Sequence, residues 1–385
     1  MKSRKRALEN PISARFFGCS DQQQAGSLRF PYLAPQRKIR MKMKAAIYTD
    51  IEQIAIREVE RNEPPPGFVL VDTKQTGICG SDLHSYFGHW GQSHEHAAGH
   101  ETCGVVTALG DGVTEFDIGD KVAVECFSHC GTCKYCETGQ YNLCFNRAWI
   151  SPNMHGGFAE YTATHHSGLF KLPQRMTFEQ GALVEPLAVS HRAVARSGAN
   201  ARDTIAIIGG GTIGQFCLAD AVAAGIKETL ITVKYEQQAA LAKALGADHI
   251  VNVGDTDVGE YIKDVTNGIG FDAVIETVGG AENFNTATTI VRKQGAVVLV
   301  AGYYKPLEVN LSTIVWSEAF ITGSNCYGYS GMETDFEAAI ELIDTGKVDA
   351  TKLVTHYYPL DEISEAFRVS ADKTSGAIKV HVCQE

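Results

Sequence analysis

The chain has 385 residues, of which 44% are hydrophobic and 21% are charged, a composition typical of a globular protein with enough apolar residues for two domains. It excludes disordered and fibrous classes, and the longest apolar stretches are too short or too polar for a membrane span. The formal net charge of −11 at pH 7 argues against a nucleic-acid partner, because phosphate backbones bind basic surfaces.

The N-terminal segment differs in charge from the rest of the chain. Residues 1–44 contain eleven Lys and Arg but only two acidic residues, Glu9 and Asp21. This pattern fits a transit peptide, a basic arm, or residues upstream of a true start at Met41 or Met43. We favour a true start at Met41 or Met43, because Met43 opens a strand-like stretch, and we expect residues 1–40 to lie outside the fold.

Cysteine usage points to a reducing compartment. Four of the eleven cysteines fall within fifteen residues, and residues 1–40 show no secretory hydrophobic segment. Metal binding explains such a cluster better than disulfides in a chain of this length. We therefore expect a cytoplasmic protein, with organelle targeting by the N-terminal segment as the alternative.

From Ala45 to about Val189 the chain consists of short apolar stretches interrupted by Gly and Pro, which predicts an irregular β domain over residues 41–188. The clearest predicted strands are residues 68–73, 103–109 and 121–124.

Two short motifs and one distant carboxylate in this domain supply metal-binding side chains. GICGSDLH, GHE and an EP pair contribute Cys79, His100, Glu101 and Glu185. One thiolate, one imidazole and one or two carboxylates form a zinc shell with a vacancy for water or substrate, as catalytic sites do. Singly, each is more often an ordinary core cysteine, surface pair or helix cap. Their coexistence with the motifs below favours an open zinc site.

A second cluster has the spacing C-x2-C-x2-C-x7-C and consists of Cys130, Cys133, Cys136 and Cys144. Four thiolates at these intervals can close a tetrahedral shell around zinc and leave no open position, which is typical of structural sites. Free buried thiols or disulfides are the alternatives, and the regular spacing disfavours them.

After about Ser190 strands alternate with helices, which predicts a doubly wound parallel sheet over residues 189–323. Predicted strands lie at residues 204–208, 229–233, 250–251, 273–276, 297–300 and 320–323, and the clearest helices at 213–224 and 236–245. Residues 324–385 are mixed, with a helix near 334–345, and we expect them to fold back onto the first domain.

The sequence GGGTIG at residues 209–214 follows an apolar strand and opens a helix. Glycines let the backbone turn tightly and approach a pyrophosphate, which lies at the positive N-terminus of the helix. The pattern alone is weak, but this position between strand and helix favours dinucleotide binding over an ordinary glycine turn.

The end of the second strand bears on the choice of cofactor. An acidic residue about twenty positions after the glycines usually binds the adenosine ribose, but here Val233 and Lys234 occupy that place. The missing carboxylate removes repulsion against a 2′-phosphate, and Lys234 offers a positive charge to it. We slightly favour NADP over NAD, and a solvated lysine is the alternative.

Together these motifs resemble the zinc-containing medium-chain dehydrogenase/reductase family, in particular its sorbitol and threonine dehydrogenase branch. The resemblance runs from Met43 to the C-terminus and includes GDKV at residues 119–122, GGFAEY at 156–161 and VEPLA at 184–188. It implies a GroES-like catalytic domain, discontinuous in sequence, with a Rossmann domain inserted in it. It also implies homodimers or homotetramers that act on a small-molecule alcohol or ketone.

The resemblance implies residue roles as well. Cys79, His100 and Glu101 match catalytic zinc ligands, and Glu185 matches a glutamate that binds either the zinc or its water. The residues matching a proton relay are Ser81 and His84, and the acid matching one that orients the His ligand is Asp82. The residues matching cofactor contacts are Gly209, Gly211, Ile213, Gly214, Val300, Ala301, Gly302, Ser324 and Asn325.

The implied reaction is hydride transfer between a secondary alcohol and NAD(P), assisted by zinc. Two alternatives are a zinc-free quinone or enoyl reductase on the same fold and a non-catalytic protein that binds zinc and nucleotide. The first would lack Cys79 and His100, and the second would not need Ser81 and His84.

Two departures from the family pattern concern specificity. Val233 replaces the usual aspartate, and the segment HEH at residues 94–96 replaces an apolar stretch. HEH is either a polar lining of the pocket mouth or a solvated loop. We expect a polyol, sugar acid or amino alcohol as substrate. The residues expected to line or flank its pocket are Tyr86, Phe87, His89, Trp90 and His155.

Overall fold

The computed structural model describes residues 41–149 and 154–384. The predictions made for residues 1–40 therefore lie outside the described residues. The described chain starts with an antiparallel hairpin of β1 (Met41–Asp50) and β2 (Gln53–Arg61). Met43, Ala45 and Ile47 lie on alternate positions of β1 and are buried, which confirms the strand expected at Met43.

The first region continues with short strands and short helices. The strands are β3 (Phe68–Gly77), β4 (Glu101–Leu109), β5 (Lys121–Val124), β6 (Phe127–Ser128), β7 (Ala148–Trp149), β8 (Tyr161–His165) and β9 (Leu169–Lys171). The helices are α1 (Gly80–Tyr86), α2 (Lys134–Glu137), α3 (Phe178–Ala182) and α4 (Val184–Ser197). β3, β4 and β5 are the three strands predicted from the sequence, and they pair antiparallel in chain order.

The second region is a six-stranded parallel sheet with order β12-β11-β10-β13-β14-β15. Its strands are β10 (Thr204–Ile208), β11 (Glu228–Val233), β12 (His249–Asn252), β13 (Phe271–Glu276), β14 (Val291–Leu299) and β15 (Phe320–Gly323). Its helices are α5 (Thr212–Ala223), α6 (Glu236–Leu245), α7 (Val258–Val265), α8 (Gly280–Ile290) and α9 (Leu311–Ser317). This strand order, reversing at β10, is that of the dinucleotide-binding doubly wound fold, which confirms the predicted fold class.

The C-terminal residues return to the first sheet. They form β16 (Tyr329–Ser330), β17 (Glu333–Thr334), α10 (Asp335–Asp344), β18 (Val354–Pro359), α11 (Ile363–Ala371) and β19 (Lys379–Cys383). β19 pairs antiparallel with β3, and β18 pairs parallel with β19, so the last residues complete a seven-stranded sheet with the first region.

One helix crosses the predicted boundary at residue 189. α4 starts beside the first sheet, runs through residue 189 without interruption and ends at Gly198, whose φ of 69° allows the left-handed turn there. Buried residues of α4, α5 and α10 share one hydrophobic core with Phe127 and Tyr327, whose rings stack 5.2 Å apart. This shared core fixes the six-stranded parallel sheet of the second region against the first region. Among the described residues, no helix combines the length and apolar character that crossing a bilayer requires.

Candidate active site

Cys79 lies at the N-cap of α1, directly after β3. Its backbone N–H donates to Asp82 Oδ2 over 2.9 Å, because an acidic side chain three residues into a helix can reach back to the N-cap amide. This local bond fixes the first turn of α1, which carries Ser81, and His84 follows in the last turn.

His100 ends the loop before β4 and lies against that turn. Its Nδ1 is 3.6 Å from Asp82 Oδ1, and its Nε2 is 3.3 Å from Ser81 Oγ. Burial opposes protonation of the imidazole, but the charges of Asp82 and Cys79 outweigh it and hold the pKa of His100 well above its usual range. Such a site attracts positive charge, which a metal cation would provide.

Glu101, the first residue of β4, has a different partner. Both of its carboxylate oxygens accept from Lys379 Nζ, at 2.7 and 2.5 Å, and Lys379 also donates to the Ile78 carbonyl. Both side chains are almost fully buried. The structure thus places this expected zinc ligand in a buried ion pair with β19, a partner that sequence reasoning missed.

Glu185, in the first turn of α4, is also buried. Burial raises its pKa to about 8, with His100 opposing and Glu101 adding to the increase. Its carboxylate therefore lies within electrostatic range of both the imidazole and the ion pair. The thiolate, the imidazole and this carboxylate come from three distant segments that the fold brings to one place.

The four-cysteine lobe spans α2 and the residues around it. Neighbouring sulfur atoms of Cys130, Cys133, Cys136 and Cys144 lie 3.5 to 4.0 Å apart. A tetrahedral zinc site with bonds of about 2.3 Å has sulfur–sulfur edges of about 3.8 Å, so the four thiols fit a closed zinc shell. Within residues 41–149 and 154–384, this is the only group of three or more metal-binding side chains with mutual distances below 4.8 Å.

His84 lies in a ring cluster at the other end of α1. Its imidazole stacks on Trp90 at 5.2 Å, meets Tyr304 edge-on at 5.1 Å, and has its Nδ1 3.4 Å from His89 Nδ1. Burial and the neighbouring His89 lower the pKa of His84, which keeps this imidazole neutral and able to accept a proton at neutral pH.

The glycine loop between β10 and α5 has the features that close approach of a ligand requires. Gly209 has a φ of 108° and donates its N–H to Thr232 Oγ1, while a Cβ on Gly214 would lie 1.7 Å from the Gly209 carbonyl. Gly211 caps α5, and a Cβ there would meet open space. The helix N-terminus therefore faces a volume that can accept a pyrophosphate.

This volume belongs to a cavity of about 1310 Å³ that runs from Lys234 along the glycine loop to Gly80 and Leu83 of α1. Val233 and Lys234 both line it. Ser370 and Lys373 line it from the C-terminal region, and the sequence contained no motif that indicated them. A cavity of this size and shape, with cations along it, suits a dinucleotide.

The remaining predicted cofactor contacts follow two strands of the same sheet. Val300 to Gly302 come after β14, and Ser324 and Asn325 come after β15, so all lie at the carboxyl edge of the sheet that the glycine loop also occupies. The Ser324 hydroxyl is buried and has no hydrogen-bond partner among the described residues, as expected of a group that binds a ligand.

The residues predicted to line the substrate pocket separate into two groups. His89 and Trp90 lie with His84 in the ring cluster, and His155 lies 5.2 Å from His96. Tyr86 instead packs on Phe367 at 5.2 Å, and both Tyr86 and Phe87 pack against the hydrophobic core beneath α1. Both side chains are half-buried, and the Phe87 ring also lies 5.9 Å from His89, so their place at the pocket stays a prediction.

Comparison with known proteins agrees with this geometry. Residues 65–174 match the alcohol dehydrogenase GroES-like domain, and residues 212–345 match the zinc-binding dehydrogenase domain. The sorbitol dehydrogenase of Halalkalibacterium halodurans is 34% identical over 344 residues, which cover 88% of this chain and 98% of that protein.

The chain belongs to the zinc-type medium-chain dehydrogenase/reductase family. It is accordingly an NAD(P)-dependent alcohol dehydrogenase. A zinc-binding dehydrogenase of Sinorhizobium meliloti bound to NADP shares its structure with a TM-score of 0.81 and 30% identity, covering 89% of this chain and all of the other. An Escherichia coli alcohol dehydrogenase complexed with NADH does so with a TM-score of 0.82 and 26% identity, covering 89% and 99%.

Proposed function

We propose that this dehydrogenase oxidises a secondary alcohol of the polyol class at a zinc ion held by Cys79, His100 and Glu185. One observation carries the proposal: Cys79 and His100 meet beside Ser81, where a cofactor-sized cavity reaches α1. The sorbitol dehydrogenase among its relatives supports the polyol class. The imidazole and indole groups of His89 and Trp90 suit a ligand rich in hydroxyl groups.

Glu101 and Glu185 are the two candidates for the third protein ligand of the zinc. Zinc supplies Lewis acidity that lowers the pKa of an alcohol, and NAD(P) supplies the hydride acceptor. Glu101 is already neutralised by Lys379, which bonds both of its oxygens. Glu185 has no cation in direct contact among the described ion pairs, so it is the carboxylate that gains most from a metal.

Ser81 and His84 form the proposed route for the alcohol proton. Ser81 lies at the metal side, 3.3 Å from His100, and His84 lies one helical turn further along α1. The lowered pKa of His84 leaves an acceptor nitrogen free at neutral pH. Its half-exposed position lets the proton continue to solvent.

The adenosine end favours NADP over NAD. The buried Val233 side chain offers no acceptor to ribose hydroxyls, and Lys234 carries a positive charge beside the same cavity. A 2′-phosphate would gain a charge-assisted bond there and meet no carboxylate from the end of β11.

We further propose that a structural zinc fills the four-cysteine lobe, giving two zinc ions per chain, and that the protein works in the cytoplasm, where thiols stay reduced.

The edge strand β15 supports a homodimer. Phe320 on this edge and Val315 and Trp316 on the neighbouring α9 are large, apolar and exposed. Two copies related by a two-fold axis could pair these edges and cover the apolar surface.

A substrate panel tests the proposed activity. The purified protein is given polyols, aldonates and 3-hydroxy amino acids with NAD+ or NADP+, and reduced cofactor is measured by absorbance. We expect polyol oxidation with a preference for NADP+, and at least a hundredfold lower kcat in Ser81→Ala, which loses the first proton acceptor. Reduction of quinones or enones without any alcohol oxidation would contradict the proposal.

A further inference from the structure

Tyr304 joins the two halves of the molecule at the reaction centre. It follows β14 in the second region, and its ring contacts His84 and Trp90 of the first region. Both contacts are edge-on, with ring centroids 5.1 Å apart. These are the distances and angles of favourable aromatic contacts. The side chain is nevertheless 54% exposed, so no packed core holds it in this position.

The phenol oxygen of Tyr304 rests on the open face of Gly302. A Cβ built on Gly302 would lie 1.6 Å from Tyr304 Oη, so the hydroxyl occupies the space that the missing side chain leaves. Gly302 belongs to the stretch after β14 that is expected to contact the cofactor. The space beside this backbone is therefore taken by a side chain of the same loop.

The cofactor cavity ends just before this point. Its lining includes Lys234, the glycine loop, Gly80 and Leu83, but within the described residues it includes neither Gly302 nor His84. The adenosine and pyrophosphate parts of a dinucleotide thus have open space. The nicotinamide part, which must reach the reaction centre beside His84, meets the Tyr304 ring.

We propose that Tyr304 closes the nicotinamide end of the cofactor cavity in the cofactor-free protein and turns away when the dinucleotide binds. The inference rests on the proposed function, because it assumes that the cavity holds NAD(P). The movement is a side-chain rotation with no covalent change. It exchanges the contacts with His84 and Trp90 for contacts of nicotinamide with Gly302, so part of the cofactor's binding energy is spent on opening.

Calorimetry with matched ligands tests the gate. Parent, Tyr304→Phe and Tyr304→Ala proteins are titrated with ADP-ribose, which lacks nicotinamide, and with NAD+. The same proteins are titrated with 2′-phospho-ADP-ribose and NADP+. We expect Tyr304→Ala to bind both dinucleotides about tenfold tighter than the parent, which corresponds to the loss of two ring contacts. The affinity for the two nicotinamide-free ligands should not change.

The Tyr304→Phe protein separates the ring from the hydroxyl. It retains the contacts with His84 and Trp90 but frees the face of Gly302, so its gain in NAD(P)+ affinity should be smaller than that of Tyr304→Ala. Unchanged or weaker NAD(P)+ binding by Tyr304→Ala would overturn the gate. A parent that binds neither ADP-ribose nor 2′-phospho-ADP-ribose would instead contradict the proposed cofactor cavity, so the two failures are distinguishable.

Discussion

The four-cysteine lobe and the catalytic centre hold similar ligand types in opposite ways. In the lobe, four thiols from fifteen residues lie within bonding geometry of one metal. In the catalytic centre, Cys79, His100 and Glu185 are spread over more than one hundred residues of sequence, and within the described residues no three donors there meet the same distance limit. A closed site is therefore specified locally, whereas an open site depends on the assembled fold.

The partners of the donors explain the difference. Asp82 pairs with Nδ1 of His100, which leaves Nε2, beside Ser81, as the nitrogen for a metal, and Lys379 holds Glu101. These bonds orient the catalytic donors and leave room for substrate, as partners of metal ligands commonly do. The lobe thiols bond chiefly to one another and to nearby backbone, which suits a site without an exchangeable position.

The largest effect should come from breaking the closed site. Cys133→Ser removes one of four thiolates, so the lobe loses its zinc and with it the binding energy that holds residues 130–144 together. We expect little folded protein after expression, and a clearly lower Tm in what remains. Cys217→Ser is the control, because that buried thiol lies outside the lobe. Equal yields and Tm values for the two variants would show that the lobe is dispensable.

Loss of Lys379, the buried cation paired with Glu101, should destabilise the protein less than loss of the lobe zinc. Lys379→Met leaves the buried Glu101 carboxylate unpaired, and we expect a loss of about 3–5 kcal/mol in the free energy of unfolding, measured with urea. Adding Glu101→Gln should restore most of this loss, because it removes the unpaired charge. Additive losses in the double variant would mean that the pair does not act as a unit.

His381, on the same strand β19 as Lys379, makes the stability of the protein depend on pH. Burial, with Lys379 adding to it, lowers the pKa of His381 to about 3, while its unfolded pKa is near 6.5. A depressed folded pKa means that the unfolded state binds the proton first. Stability is thus full above pH 6.5 and falls by about 1.4 kcal/mol per pH unit between 6.5 and 3. His381→Gln should flatten this part of the unfolding profile, and an unchanged slope would exclude His381 as its source.

The smallest effect should be the change in cofactor preference caused by substitutions of Val233 and Lys234. Val233→Asp places an acceptor beside the ribose and repels a 2′-phosphate, so we expect a shift toward NAD by about 1–3 kcal/mol, roughly tenfold to a hundredfold in relative kcat/KM. Lys234→Ala should weaken NADP use more than NAD use. A parent that already prefers NAD, with Lys234→Ala affecting both cofactors equally, would show that Lys234 is only a surface charge.

The sequence predicted the regular parts of the fold because local patterns encode them. Five of the six predicted strands of the parallel sheet lie within two residues of their observed starts, whereas β14 begins at Val291, six residues early. Its polar residues at positions 292–294 are exposed or half-buried and conceal the strand pattern. The boundary at residue 189 falls inside α4, since a helix shared by two regions shows no break in composition.

The candidate site was less predictable where partners are distant in sequence. The glycine loop and the lobe were evident, because their spacing carries the geometry. Lys379 pairs with Glu101 across 278 residues, and Tyr304 reaches His84 from the other half of the molecule, so no spacing rule could indicate either contact.

Zinc analysis of the parent and of Cys79→Ser tests the two-site account most directly. We expect about two zinc ions per chain in the parent. Cys79→Ser should retain one, keep the parent Tm within a few degrees, and lose roughly a thousandfold or more in kcat/KM, the equivalent of several kcal/mol of Lewis-acid assistance. A parent with a single zinc ion and full activity, or a Cys79→Ser protein that keeps both ions, would contradict the account.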